Sequence, residues 1–260
     1  MSTPIRASNA RSGPPVPGGD LGNPRALAAS HRTAQALLAA VVTRDILSVW
    51  ETMPTADVRT AWPVIRMALL GVLESRFAAS VFASVSYYDE ARRLAGIFEA
   101  RPGIVPPVFD PAFVSGVLDS TGPYTLLGNL KQGRQLRDAM NRAGIRLAGA
   151  GQKSVLDGGR AAIYALAKTD PAAVGWARIT RAKPCAFCAM LASRGAVYKT
   201  EKSARFLAHD HCMCTPAPFF KPGGAAKLVN SSLAEEWQRV TKGYSGKEAF
   251  RAWRRYWDNK

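Results

Sequence analysis

All four cysteines of this chain lie between residues 185 and 214, and two of its three histidines share that window. They read Cys185-Ala-Phe-Cys188, then His209-Asp-His211-Cys212-Met-Cys214. A C-x-x-C turn aims two thiolates at one point, and a second His/Cys group further on can close a tetrahedron around Zn2+. The spacing pairs Cys185 and Cys188 with His209 and Cys212. Cys214 is a spare thiolate that could replace His209 to give a four-cysteine site, and His211 is a weaker candidate. Pro184 stiffens the entry to the knuckle, and Phe187 inside it is expected to pack beneath the metal.

The alternatives are four small buried residues brought near each other by chance, or a disulfide pair. Residues 1–23 carry Pro14, Pro15, Pro17, Gly18 and Gly19 but no apolar core of a signal peptide, so they read as a flexible arm. No uninterrupted apolar run reaches the roughly 18 residues of a membrane span. A reducing compartment, where clustered cysteines favour metal over disulfides, is therefore expected.

The chain has 260 residues, 47% of them hydrophobic, which is enough for one sizeable core. Its net charge of +16 is uneven: residues 174–260 carry 16 basic and 6 acidic side chains. Such a field attracts polyanions, nucleic acid first among them.

Apolar residues recur at helical spacing from Ala26 to Met53 and from Asp57 to Phe98, with Pro54 between them, so these segments form an α-hairpin. Arg101–Pro107 is a break. Helices are expected again over Asp110–Leu118, Tyr124–Ala143 and Gln152–Ala167, with Gly158-Gly159-Arg160 read as a loop glycine pair. Val174–Thr180 alternates like a strand, Ala186–Ser193 suits a short helix, and Ala196–Tyr198 and Thr215–Phe220 read as extended. Pro222, Gly223 and Gly224 mark a linker before helices over Ser232–Thr241 and Gly246–Trp257. The expected fold is mainly α with a small α+β zinc-knuckle subdomain. The expected organisation is a flexible arm (1–23), a helical body (24–172), a zinc-binding α+β unit (173–222) and a C-terminal helical extension (223–260). The α+β unit has few large apolar residues, so a structural metal would replace its missing core.

Pro184-Cys-Ala-Phe-Cys188 matches half of the zinc-deaminase signature. The other half, H-x-E, is missing, because the only upstream histidine begins His31-Arg-Thr33. A hydrolytic zinc also needs an open position and a general base. A closed structural site is the better reading, and no catalytic residue is assigned.

The ordered set Cys185, Cys188, Leu191, Gly195, His209, Cys212 and Cys214 resembles the Mu F-type minor head proteins of tailed bacteriophages, in the version carried by phages of actinobacteria. The likeness departs at Arg181-Ala-Lys183, which is basic where the family has an acidic or polar lead-in, and in the helices that follow the motif. The resemblance implies a structural virion protein present in few copies, inside the capsid at the portal vertex, with host cytoplasm as its location during assembly. Its implied partners are the portal protein and the capsid interior, with packaged double-stranded DNA as a further one. No membrane, small-molecule substrate or enzymatic activity is expected. A nucleic-acid-binding zinc module of a regulatory kind is the competing reading.

Trp237, Phe250, Trp253, Tyr256 and Trp257 crowd the C-terminus among Arg239, Arg251, Arg254 and Arg255. They form either an anchor for a partner or nucleic acid, with Arg239, Arg251, Trp253, Arg254, Arg255 and Trp257 as its contacts, or an amphipathic helix folded onto its own domain.

Overall fold

Asn23 opens the first helix: its side chain accepts from the Arg25 backbone N–H at 2.8 Å, and Pro24 supplies the fixed φ of the first turn. The structure, a computed structural model, describes residues 23–180, 183–195, 208–220 and 231–260. The expected arm, the Ala196–Tyr198 strand and the 222–224 linker lie outside those residues.

Helix α1 spans Pro24–Glu51 and α2 spans Val58–Leu94, begun by Asp57, whose carboxylate accepts from Thr60 N–H. Pro63 is in the second turn of α2 and does not end it. Helices α3 (Pro111–Thr121) and α4 (Pro123–Lys131) follow, then α5 (Leu136–Thr169). Val42, Ile46, Trp50, Trp62, Leu69, Leu73, Leu118 and Leu147 form the main core between them, with Trp50 and Trp62 edge to face at 6.2 Å.

Helix α5 corrects the sequence reading. One helix of 34 residues runs where the pattern broke into separate pieces, and Gly158 and Gly159 are inside it rather than in a loop. Glycine lowers isolated helix propensity, but tertiary packing overrides that. A Cβ on Gly159 would lie 2.4 Å from Ser84 Oγ and 2.8 Å from the Ser80 carbonyl oxygen, so the bare backbone is what lets α2 close onto α5. Beside this contact, Gln35 of α1 donates to the Ser80 carbonyl and to Ser84 Oγ, and Ser80 Oγ donates back to Gln35 Oε1. The interhelical seam is thereby polar yet satisfied.

By length and composition α2 is the one helix among the described residues able to cross a membrane, though no uninterrupted apolar run marked it in the sequence. Its Ile65, Leu69 and Leu73 face α1 and α5, while Val64, Met67 and Phe82 are exposed.

Strand β1 (Gly175–Ile179) pairs antiparallel with β2 (Thr215–Phe219), with Trp176 opposite Pro218 and Arg178 opposite Pro216. Between them comes α6 (Ala186–Ser193), and after them α7 (Ser231–Val240) and α8 (Gly246–Asp258). The fold is mainly α with a small α+β part. A buried junction precedes β1: Arg92 at the end of α2 pairs with Asp170 just past α5, and Tyr88 donates to the same carboxylate at 3.0 Å.

Candidate metal centre

Cys185 is the N-cap of α6, and its Sγ accepts from the Cys188 backbone N–H at 3.4 Å. The first helical turn therefore brings Cys188 Sγ to the same side. The second group is folded by a tight turn in which Cys212 N–H donates to the His209 carbonyl at 3.1 Å. His211, at φ 60°, occupies the left-handed region in that turn. Its ring lies over α5 at Gly149, where a Cβ would come within 2.4 Å of Nε2. His211 thus packs against the body and belongs to neither donor group below.

The structure brings together all five residues singled out as ligands. Cys185, Cys188 and His209 form one group, and Cys188, Cys212 and Cys214 a second; within each, the donor atoms lie within 4.8 Å of one another, and Cys188 is common to both. Cys188 Sγ is 3.6 Å from Cys212 Sγ and 3.7 Å from His209 Nε2. A tetrahedron with Zn–S bonds of about 2.3 Å has edges of roughly 3.7 Å, so these separations suit such an ion. Cys185 Sγ and His209 Nε2 are closer, at 3.0 Å. All four cysteines are free thiols, which corrects the disulfide alternative. Phe187 packs against the sulfurs and meets Phe250 edge to face, as expected of the residue beneath the knuckle.

Crowded sulfurs cannot share one protonation state. The contacts of Cys212 with Cys188 and Cys214 hold the Cys212 thiol well below its ordinary value, while contacts with Cys212 and Cys214 push Cys188 far up. Cys214 is pulled down by Cys188, but Cys212 and burial outweigh that and raise it to about 11. Burial opposes ionisation of Cys185, yet the Cys188 N–H and His209 together keep its thiol below the usual range. A cluster of this kind needs positive charge to hold its thiolates.

Two buried guanidinium groups supply part of it. Arg160 of α5 donates to the carbonyls of Cys212 at 2.6 Å and Cys214 at 3.2 Å, and pairs with Asp157. Arg178 of β1 approaches Cys188 Sγ at 3.9 Å. Three or four thiolates around a divalent cation leave a net negative charge, which these buried arginines offset. The donor set and its surroundings are positioned to hold a metal ion. Sequence reasoning passed over Arg178 and met Arg160 only in the Gly158-Gly159-Arg160 stretch, without linking either to the cysteines. The available signal was an arginine inside an otherwise apolar strand, Gly175–Ile179, and another inside a glycine-rich stretch.

The C-terminal aromatics are placed differently from the anchor reading. Trp253 is fully buried against α6, so it is closed to a partner, and its indole N–H donates to the Ala186 carbonyl at 2.8 Å. Trp257, half-buried, stacks on it at 4.9 Å and donates to the Pro184 carbonyl at 2.8 Å. Arg251, Arg254 and Arg255 are exposed, and Arg239 lies over the Tyr256 ring.

Residues 23–245 match the family described as VG15 protein. The chain belongs to the VG15 protein family. This is a family of viral gene proteins, and membership points to a phage-encoded chain. The match takes in the helical body, both cysteine groups and α7, while α8 lies beyond it. No curated protein and no solved structure is significantly similar to this chain.

Proposed function

We propose that this chain is a structural virion protein: a Mu F-type minor capsid protein that associates with the portal vertex inside the head, acts in head assembly, and holds one structural Zn2+. The observation that carries this reading is a closed donor cluster in a chain of a viral gene family. Five donors converge where a tetrahedral ion takes four, and neither donor group includes a carboxylate. An ion there neutralises the thiolates and joins the α6 turn to the 208–214 segment, and it is architecture rather than a reagent.

The competing readings fare worse. A regulatory DNA reader would present the helix after the knuckle to a groove, but α6 is buried from Cys188 to Ser193 against α7, α8 and β1. A hydrolytic zinc would need the open position that the surplus donors take up. Contact with packaged DNA is supported by the net charge of +16 and by Lys131, Arg134, Arg137, Arg142 and Arg146 around the α4–α5 turn, where Asp138 binds Arg134 and Arg142.

Purified phage particles test this. Mass spectrometry and antibody labelling are expected to find the chain in mature particles, at the portal vertex, with one zinc per polypeptide. Its absence from both mature particles and head precursors overturns the proposal.

A further inference from the structure

We infer that α8 is a clamp on the metal knuckle, with Trp253 and Trp257 as positioning residues that set the affinity of the site; this rests on the metal reading above. The two indole N–H groups donate, each at 2.8 Å, to the carbonyls of Ala186 and Pro184. The Pro184 carbonyl lies in the peptide that enters Cys185 and the Ala186 carbonyl in the peptide just after the residue that follows it, so the backbone is held by a rigid donor on each side of this sulfur. The Cys185 side chain is at once the N-cap of α6 and a member of one donor group, so its direction decides whether both cysteines of the knuckle face one point.

The clamp is itself rigid. Trp253 stacks on Trp257 at 4.9 Å and meets Trp237 edge to face at 5.2 Å, and Tyr256 donates to Glu236 of α7 at 2.6 Å. Hydrogen bonds that orient ligand-bearing groups usually change metal affinity by tenfold or more when removed. Coupling of this kind is reciprocal: if docking of α8 strengthens metal binding, then metal binding strengthens docking of α8 by the same factor. The matched family span ends before α8, so the clamp is a property read from this chain alone.

The test uses the full-length chain, with zinc and cobalt(II) as probes. Trp257→Phe keeps an aromatic ring, smaller than the indole, and removes the N–H, and the half-buried position tolerates the change. Zinc affinity, measured by competition against a chromophoric chelator, is expected to fall about tenfold, with altered thiolate–cobalt absorption. Trp253→Phe should do at least as much, and Arg251→Ala on the exposed face of the same helix should do nothing. Stripping the metal from the wild type should raise hydrogen exchange in α8 while α5 stays protected. Wild-type zinc affinity in both tryptophan variants overturns the clamp and leaves the metal site standing. A wild type that takes up neither ion overturns both. Should Trp253→Phe fail to fold, Trp257→Phe decides.

Discussion

His31 was the one histidine outside the cysteine window, and the sequence offered it as a position on the apolar face of the first helix and as a failed deaminase motif. It is buried in α1, stacked on Tyr87 at 4.3 Å, and burial lowers its pKa to about 4. The unfolded chain binds this proton near pH 6.5 and the folded chain near 4. Between those values the unfolded state holds more protons, so stability falls as the pH drops through that window. The loss should be about 2 kcal/mol by pH 5, seen as a shift in urea midpoint, and His31→Phe should flatten it. Asp170 has the opposite chemistry with the same direction. Burial works against its charge, but Arg92, the Ala172 N–H and Tyr88 keep its pKa below the ordinary carboxylate value. Its contribution is present above the unfolded value near pH 3.9 and is lost below it. Asp170→Asn leaves Arg92 buried without its counter-charge and should cost about 3 kcal/mol or more in a denaturant titration. Within the cluster, Cys188 belongs to both donor groups, so Cys188→Ser should abolish zinc uptake. Cys214→Ser and His209→Ala, compared by metal content, decide which completes the tetrahedron. The five ligand candidates were legible because their chemistry is rare and their spacing short. The buried partners of Asp170 were not, because Arg92 is 78 positions away in the chain.

At the scale of the elements, α1, α2 and the terminal helices were legible from apolar periodicity and from the break at Pro54 with Asp57 after it. Helix α5 was not. Its glycines look like breaks to any local rule, and only the neighbours that come to lie on them explain them. Gly159→Ala gains helix propensity, about 1 kcal/mol, but forces a methyl against the Ser80 backbone. It should therefore lower stability by about 1–3 kcal/mol, measured as a lower thermal midpoint with unchanged helical signal. The amphipathic face of α8 was read correctly as a face, while its direction, inward onto the knuckle, required the fold.

At the scale of the molecule, the small α+β unit leans on both helical parts: Arg160 reaches it from α5, and Trp253 and Trp257 from α8. Metal removal by a strong chelator should therefore melt β1, β2 and α6 while the body over α1–α5 keeps its core, giving two transitions in place of one by circular dichroism and tryptophan fluorescence. The two-stranded sheet carries a further consequence. The Phe219 carbonyl accepts from Val174 N–H, which turns the nitrogens of Pro216 and Pro218 away from β1. A foreign strand laid along that outer edge would meet alternate positions with no hydrogen to give. The outer edge of β2 is in this way unfit for edge-to-edge pairing with another chain.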